Sequence, residues 1–337
     1  MYTYFLNKED FSSTQKAVLE NEHFKVETFK YPSGIEALKV SNSKGHMTIL
    51  PYYGQIIWDV VFNGQSLTME NMFNEPKKGT EITDTYGCFA FHSGLLANGC
   101  PAPEDSHPLH GEFPCSDMDR SYLTFDEQSI TIHSEFEYVK GFGHHYLAKP
   151  SVTLAADETT IEISLEVQNL SKYQKMPLQY MCHMNYAYAE NGIMTENIPN
   201  DAFYLRTSIP DHVKPNEDWN AYMAKLEETK EIISTLDHPE MYDPEICFFT
   251  KNLGDYTERA EFEMAYNEES KFFIHFDTTD FPYATRWLLN NPDQKVSAFA
   301  LPGTSLPEGY LAAEKAGSLV HLEPNETRVF TVRTGVK

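Results

Sequence analysis

Short runs in which apolar and polar residues alternate at period two, each closed by Asn, Gly, Pro or Asp, recur through most of the 337-residue chain, and such a chain is built to pair strands. "EALKVSNSKGHMTILPYYGQIIWDVVFNGQSL" spells three or four of them. "SYLTFDEQSITIHSEFEYV" reads as a hairpin, and "KPSVTLAADETTIEISLEVQN" as a longer one turning at Asp157-Glu158. "KVSAFALP" adds a strand, and "GSLVHLEPNETRVFTVRT" a hairpin turning at Pro324-Asn325. Many strands and few helices predict an all-β chain of antiparallel sheets in a large sandwich. The one clear helix is the insertion 214–237, where Asn216 can cap, Glu217 and Asp218 fill the first turn, and Trp219, Tyr222, Met223 and Leu226 repeat at helical spacing. No repeat or low-complexity linker divides the chain, so a single domain over 1–337 is expected, with 1–36 as an N-terminal extension packing on it.

The formal charge of −24 and the scattered arginines exclude a nucleic-acid or anionic-membrane surface and point to a neutral small molecule. Hydrophobic residues at 41% and aromatics at 13% suffice for a sizeable core. The five cysteines, without CxxC spacing, read as reduced thiols and not as a disulfide framework or zinc site. "MYTYFLNKEDFSSTQ" has no basic, then apolar, leader pattern, and the expectation is a cytoplasmic protein.

Three stretches carry groups able to do chemistry. In "PLQYMCHMNYAYAENG", read as a strand, Tyr180, Cys182, Met184, Tyr186 and Tyr188 share one face, while Gln179, Met181, His183 and Asn185 share the other. The second face suits a half-buried cleft better than open water. "ANGCPAPEDSHPLHGEFP" is an irregular loop holding His107 and His110, and in "LPEGYLAAEKAGSLVHLEP" Glu314 stands among small residues that leave room for a ligand. Each also has a structural reading: a hydrogen-bonded strand histidine, a solvated loop histidine, a surface carboxylate. His144 and His145 are adjacent on a strand and face opposite ways, so they cannot readily chelate one ion together.

In order, "HMTILPYYGQIIWDVVFNGQSL", "PLHGEFP", "VTLAADETTIEISLEVQNLSKYQKMPLQYMCHMNY", "YDPEICFF", "DFPYATRW" and "GYLAAEKAG" followed by "LVHLEPNETRVFTV" resemble the aldose 1-epimerase, or galactose mutarotase-like, family, in its divergent branch. The resemblance runs from about residue 37 to the C-terminus. It implies a galactose mutarotase-like β-supersandwich with a sugar cleft on one concave sheet, and an isomerase needing no cofactor and no metal. It puts the first cleft histidine at His110, the general acid at His183, the carboxylate base at Glu314, and a sugar-hydroxyl acceptor at Asp243, or at Glu245 if the register slips by two. Asn98, His107, Asn185, Gln179, Trp287 and Arg286 are the further candidates for holding the sugar. Phe89 or Phe91 joins Trp287 as an aromatic platform, with core packing as the alternative. One departure is visible: the family's arginine is missing, because Asn98 is followed by Gly99.

Anomer exchange opens the sugar ring. A base takes the hemiacetal proton, an acid protonates the ring oxygen, and rotation about C1–C2 precedes closure. A histidine and a carboxylate on opposite sides of one sugar meet that need. Two rivals are weighed against this: a carbohydrate-binding protein of different or no chemistry, which keeps the aromatics and Asp243 without depending on a His183–Glu314 pair, and a metal-dependent sugar isomerase with His107, His110, His183 and a carboxylate as ligands.

Overall fold

The computed structural model describes residues 1–337 and arranges them in twenty-two strands and two α-helices. The strands form two antiparallel sheets, one of nine strands and one of thirteen. Between them lies a core cluster of 72 buried residues drawn from both sheets, among them Leu123, Ile130 and Val152 from one and Val26, Leu38 and Met184 from the other.

The hairpins expected around 120–139 and 145–169 form as the alternation requires. Arg120–Phe125 pairs with Ser129–Val139, and His145–Ala155 with Thr160–Asn169. Asp157 takes the left-handed conformation in the second turn at φ 56, which Asp tolerates better than most residues. The expected hairpin at Pro324-Asn325 does not form. Val320–Leu322 pairs with Met176–Met184 in the larger sheet, whereas Thr327–Val336 joins the smaller sheet between Thr160–Asn169 and Lys271–Asp277. The turn therefore bridges the two sheets, because both strands find partners more distant in sequence than each other.

Residues 1–36 contribute strands to both sheets. Tyr2–Leu6 edges the smaller one beside Arg120–Phe125, while Lys16–Glu20 and Lys25–Lys30 lie at an edge of the larger one. Helix α1, Glu217–Thr229, falls within the expected insertion. Asn216 Oδ1 accepts from Trp219 N at 2.8 Å, and the buried Trp219 and Leu226 are the face it packs. A second, seven-residue helix, α2, Tyr310–Ala316, was not expected from the sequence. No helix is long and apolar enough to cross a membrane.

The larger sheet runs, through its middle, Ile246–Thr250, Tyr283–Asn290, Lys295–Gly303, Met176–Met184, Ala90–Leu95 and Ile56–Phe62. His183 is directly opposite Phe91 across one of these pairings, and Cys247 opposite Trp287 across another. Side chains at paired positions share a face. One face of the sheet thus collects residues from strands far apart in sequence.

Candidate active site

That face forms the floor of a cavity of about 390 Å³ lined by, among others, Tyr86, His110, His183, Arg206, Glu245 and Trp287. His183 is held by its strand. Its ring stacks on Phe91 at 4.5 Å between centroids, and its Nε2 lies 3.1 Å from the Tyr86 hydroxyl. Its Nδ1 has no hydrogen-bond partner, and neither has Asn185 Oδ1. Burial, and then the adjacent His110, holds the His183 imidazole well below its usual pKa, so the ring is neutral. Burial, with smaller contributions from Cys88 and Glu245, pushes the Tyr86 phenol well above its usual range, so it too is neutral.

His110 comes from the irregular loop and stands edge-on to His183, ring centroids 5.0 Å apart. The loop explains the "HG" pair: Gly111 sits at φ +82, and a Cβ there would come within 2.2 Å of the Ala97 carbonyl oxygen. His110 itself adopts φ 62, which a non-glycine residue holds only under constraint from its surroundings. Ser93 Oγ donates its one proton to Asn98 Oδ1, so at 2.9 Å it accepts from His110 Nδ1–H and leaves His110 Nε2 as a lone-pair acceptor. Burial, with smaller effects from neighbouring histidines, lowers the His110 pKa to about 3.

The same cavity holds a carboxylate. Glu245 is buried, ion-paired with Arg206, and accepts from Trp287 Nε1–H at 2.8 Å, while His212 Nε2 approaches to 3.7 Å. Burial alone would raise its pKa, but His212 and the Arg206 guanidinium outweigh that and bring it down to about 2. Helix α1 braces this wall, since Trp219 Nε1–H donates to the Glu245 carbonyl at 2.7 Å. Asp243 is at the exposed rim, its Oδ1 accepting from Asn291 Nδ2 at 3.3 Å. Of the two registers weighed for the sugar-hydroxyl acceptor, the structure buries Glu245 and leaves Asp243 at the mouth.

His183, His110, Asp243 and Trp287 therefore line one cavity. So does Glu245, but Glu314, His107, Asn98, Gln179, Asn185 and Arg286 do not. Glu314 is exposed on α2: Ala313 is the buried position of that short helix, and the next residue turns about 100° away from it. His107 is a strut: its Nδ1–H donates to the Pro108 carbonyl at 2.8 Å and its Nε2 accepts from Tyr310 N at 3.3 Å, capping α2. Asn98 stands behind His110 as the acceptor for Ser93. Gln179 donates to Ser305 Oγ at 2.9 Å, and Asn185 to the Cys88 carbonyl at 3.0 Å. Arg286 alternates with Trp287 and so faces the other side of the sheet, where it is 1% exposed and pairs with Glu196 at 2.7 Å. Phe89 packs in the core against Tyr186 at 5.1 Å, whereas Phe91 is the platform under His183.

Sequence reasoning missed Tyr86, Arg206 and His212. Tyr86 adjoins "GCFAFHSG", already considered for its phenylalanines. Arg206 and His212 sit in "LRTSIPDHVKP", a polar loop without periodicity, and only the cavity reveals them. Although the arginine sought after Asn98 is absent, Arg206 brings a guanidinium to the cavity from a different segment.

The buried neutral histidines have a measurable consequence. His92 and His110 both titrate at about 3, each lowered first by burial, and His183 is also lowered. Their unfolded values are near 6.5, so as pH falls below that value the unfolded chain binds protons that the native one refuses, and stability is lost. The Glu245 shift adds to the loss below about pH 4.5, whereas buried Glu112, with its pKa raised, opposes it. Urea unfolding at pH 7, 6, 5 and 4 is expected to show stability falling from about pH 6.5 with net proton uptake on unfolding, to which His133, His144 and His275, also lowered by burial, add.

Comparison with known proteins agrees with this architecture. A family described as Domain of unknown function (DUF4432) matches residues 32–196. No curated protein matches the sequence. Among solved structures, a candidate aldose 1-epimerase from Klebsiella pneumoniae superposes with a TM-score of 0.81 at 14% identity, covering 99% of this chain and 91% of that one. A galactose mutarotase-like protein from Clostridium acetobutylicum gives 0.61 at 14% identity, covering 94% and 99%. Galactose 1-epimerase from Lactobacillus acidophilus gives 0.57 at 11% identity, covering 96% and 98%. The chain has the galactose mutarotase-like fold. At these identities the likeness extends to the fold alone.

Proposed function

We propose that the chain, acting as one unit over residues 1–337, binds a neutral sugar in this cavity and interconverts its α and β anomers. The observation that carries the reading is the 3.1 Å approach of the Tyr86 hydroxyl to His183 Nε2 inside an aromatic-walled cavity. The pair can work as a proton exchanger. His183 Nε2 accepts the hemiacetal O1–H proton as the C1–ring-oxygen bond breaks, and Tyr86 gives its proton to the ring oxygen. The imidazolium then returns a proton to the adjacent phenolate, so both groups end neutral. Rotation about C1–C2 and the reverse sequence close the ring on the other face. His110 Nε2 accepts from a neighbouring sugar hydroxyl, as does Glu245, while Trp287 offers its ring to the apolar face of the sugar.

This assignment moves the base from Glu314 to His183. With a pKa of about 2, Glu245 is too weak a base to take over that role and is better suited to holding hydroxyls. The same weakness favours the second reading, a sugar-binding protein without anomerase activity.

Exchange NMR between α and β anomers, across neutral hexoses, pentoses, deoxy sugars, uronic acids and hexose phosphates, tests the proposal. Acceleration for a neutral sugar supports it. Spontaneous rates for every sugar, with binding retained, would leave only the second reading. Glu314→Ala is expected to leave exchange unchanged and to shift stability by no more than about 0.5 kcal/mol, as for other surface substitutions.

A further inference from the structure

Beside the mouth of the cavity is a separate groove of about 290 Å³, lined by Tyr31, Thr48, Trp58, Asp59 and Phe73 among others. Phe73 belongs to both walls. Asn71 holds this shared side chain's backbone, its Oδ1 accepting from Phe73 N at 2.8 Å while its Nδ2 donates to the Met69 and Gly87 carbonyls, both at 3.1 Å. Register places groove and cavity on one side of the sheet. Ile57 pairs with Ala90 and Phe91 with His183, so Trp58, Phe91 and His183 project from the same face on three successive strands. Two strand spacings together with a two-residue offset along the strand separate the backbone of Trp58 from that of His183 by roughly 12 Å, enough for one added sugar ring.

The groove is also chemically prepared for a polar ligand with flat apolar faces. The indole N–H of Trp58 and the hydroxyls of Tyr31 and Thr48 hydrogen-bond to nothing within the chain. Asp59 accepts from Thr68 Oγ1 at 3.1 Å and lies 3.6 Å from His46, which leaves lone pairs on both carboxylate oxygens. Tyr31 and Phe73 are half-buried and Trp58 shows only an edge at 8% exposure, and aromatic rings with free donors beside a carboxylate are the groups that hold neutral sugars. Burial, and after it the negative charges of Asp59 and Glu75, push the Tyr31 phenol up to about 12, and those two carboxylates disfavour a uronate or phosphate.

We propose that this groove is a second saccharide subsite, so that the preferred ligand is a neutral reducing disaccharide or longer glycan with its reducing end in the histidine cavity and its next ring against Trp58 and Tyr31. The orientation rests on the anomerase reading, but occupancy of the groove does not.

Calorimetric titration with glucose, galactose, maltose, cellobiose and lactose tests it, using the wild-type chain, Tyr31→Ala and Asp59→Asn, with Trp58→Phe as a variant that keeps the core filled. At least one disaccharide is expected to bind roughly tenfold more tightly than its reducing monosaccharide, an advantage of about 1.4 kcal/mol. That advantage should disappear in Tyr31→Ala and Asp59→Asn, with monosaccharide affinity unchanged. Equal affinity for mono- and disaccharides, no binding of any disaccharide, or variants that weaken both alike would overturn the proposal. Disaccharide binding that depends on Tyr31 without any anomer exchange would sink the catalytic reading and leave the subsite standing.

Discussion

His183→Ala and Tyr86→Phe each reduce enzyme-dependent anomer exchange by about 10²-fold or more, the low end of what one positioned acid–base group contributes. The two losses are expected to be strongly non-additive, because the groups share one proton-exchange step. Tyr86→Phe keeps the ring packed against Trp287 at 5.9 Å and against His183 at 5.8 Å, so sugar affinity and folding should be largely retained. The pH dependence provides an independent check. With the imidazole held well below its usual value and the phenol well above, this pair imposes no inflection near 6.5 on the rate. Near-normal exchange in both variants would remove the mechanism, and a limb titrating near 6.5 that disappears in His183→Ala would show that the free imidazole is exposed to solvent.

Glu196→Ala produces the largest expected loss of stability, about 3–5 kcal/mol, because it leaves the Arg286 charge buried without its counterion. The two side chains are 0% and 6% exposed. Arg286 also donates to the Ile233 carbonyl at 2.7 Å and lies over the Phe203 ring at 4.7 Å, so it cannot swing out to water without dismantling its surroundings. Burial lowers its pKa and Glu196 opposes that, hence removing Glu196 removes the main support for the charged form. The double substitution Glu196→Leu with Arg286→Met should recover much of the loss, since apolar replacements of a buried pair leave no stranded charge. Urea midpoints for the single and double variants decide the matter, and a Glu196→Ala midpoint indistinguishable from wild type would contradict it.

How much of the site could be read from sequence depended on whether the relevant contact was local. His183 was visible because the alternation of a single strand put an unusual polar set opposite an apolar face, and the structure buries that set. Its role as a cavity residue also needed Phe91 and Trp287, which pairing and strand order bring alongside from other parts of the chain. Glu314 shows the opposite failure. Small neighbours suggested room for a ligand, yet in a seven-residue helix they merely allow a close turn, and the carboxylate points to solvent. Arg286 and Trp287 are both candidates for holding the sugar, yet adjacent strand residues face opposite ways, and which one lines the cavity depends on one step of register, which a β-bulge between Thr285 and Trp287 also disturbs.

By itself the sequence determined the strand-rich class, most hairpins and the inserted helix with its Asn216 cap, since each follows from periodicity or turn chemistry within a few residues. Only the tertiary structure decided that Glu245 and not Glu314 shares the cavity of His110 and His183, that Arg206 supplies the guanidinium, that Tyr86 meets His183, and that the last turn joins two sheets. Those outcomes depend on which distant strands become neighbours, and that is settled by burying one shared core, which no local pattern encodes.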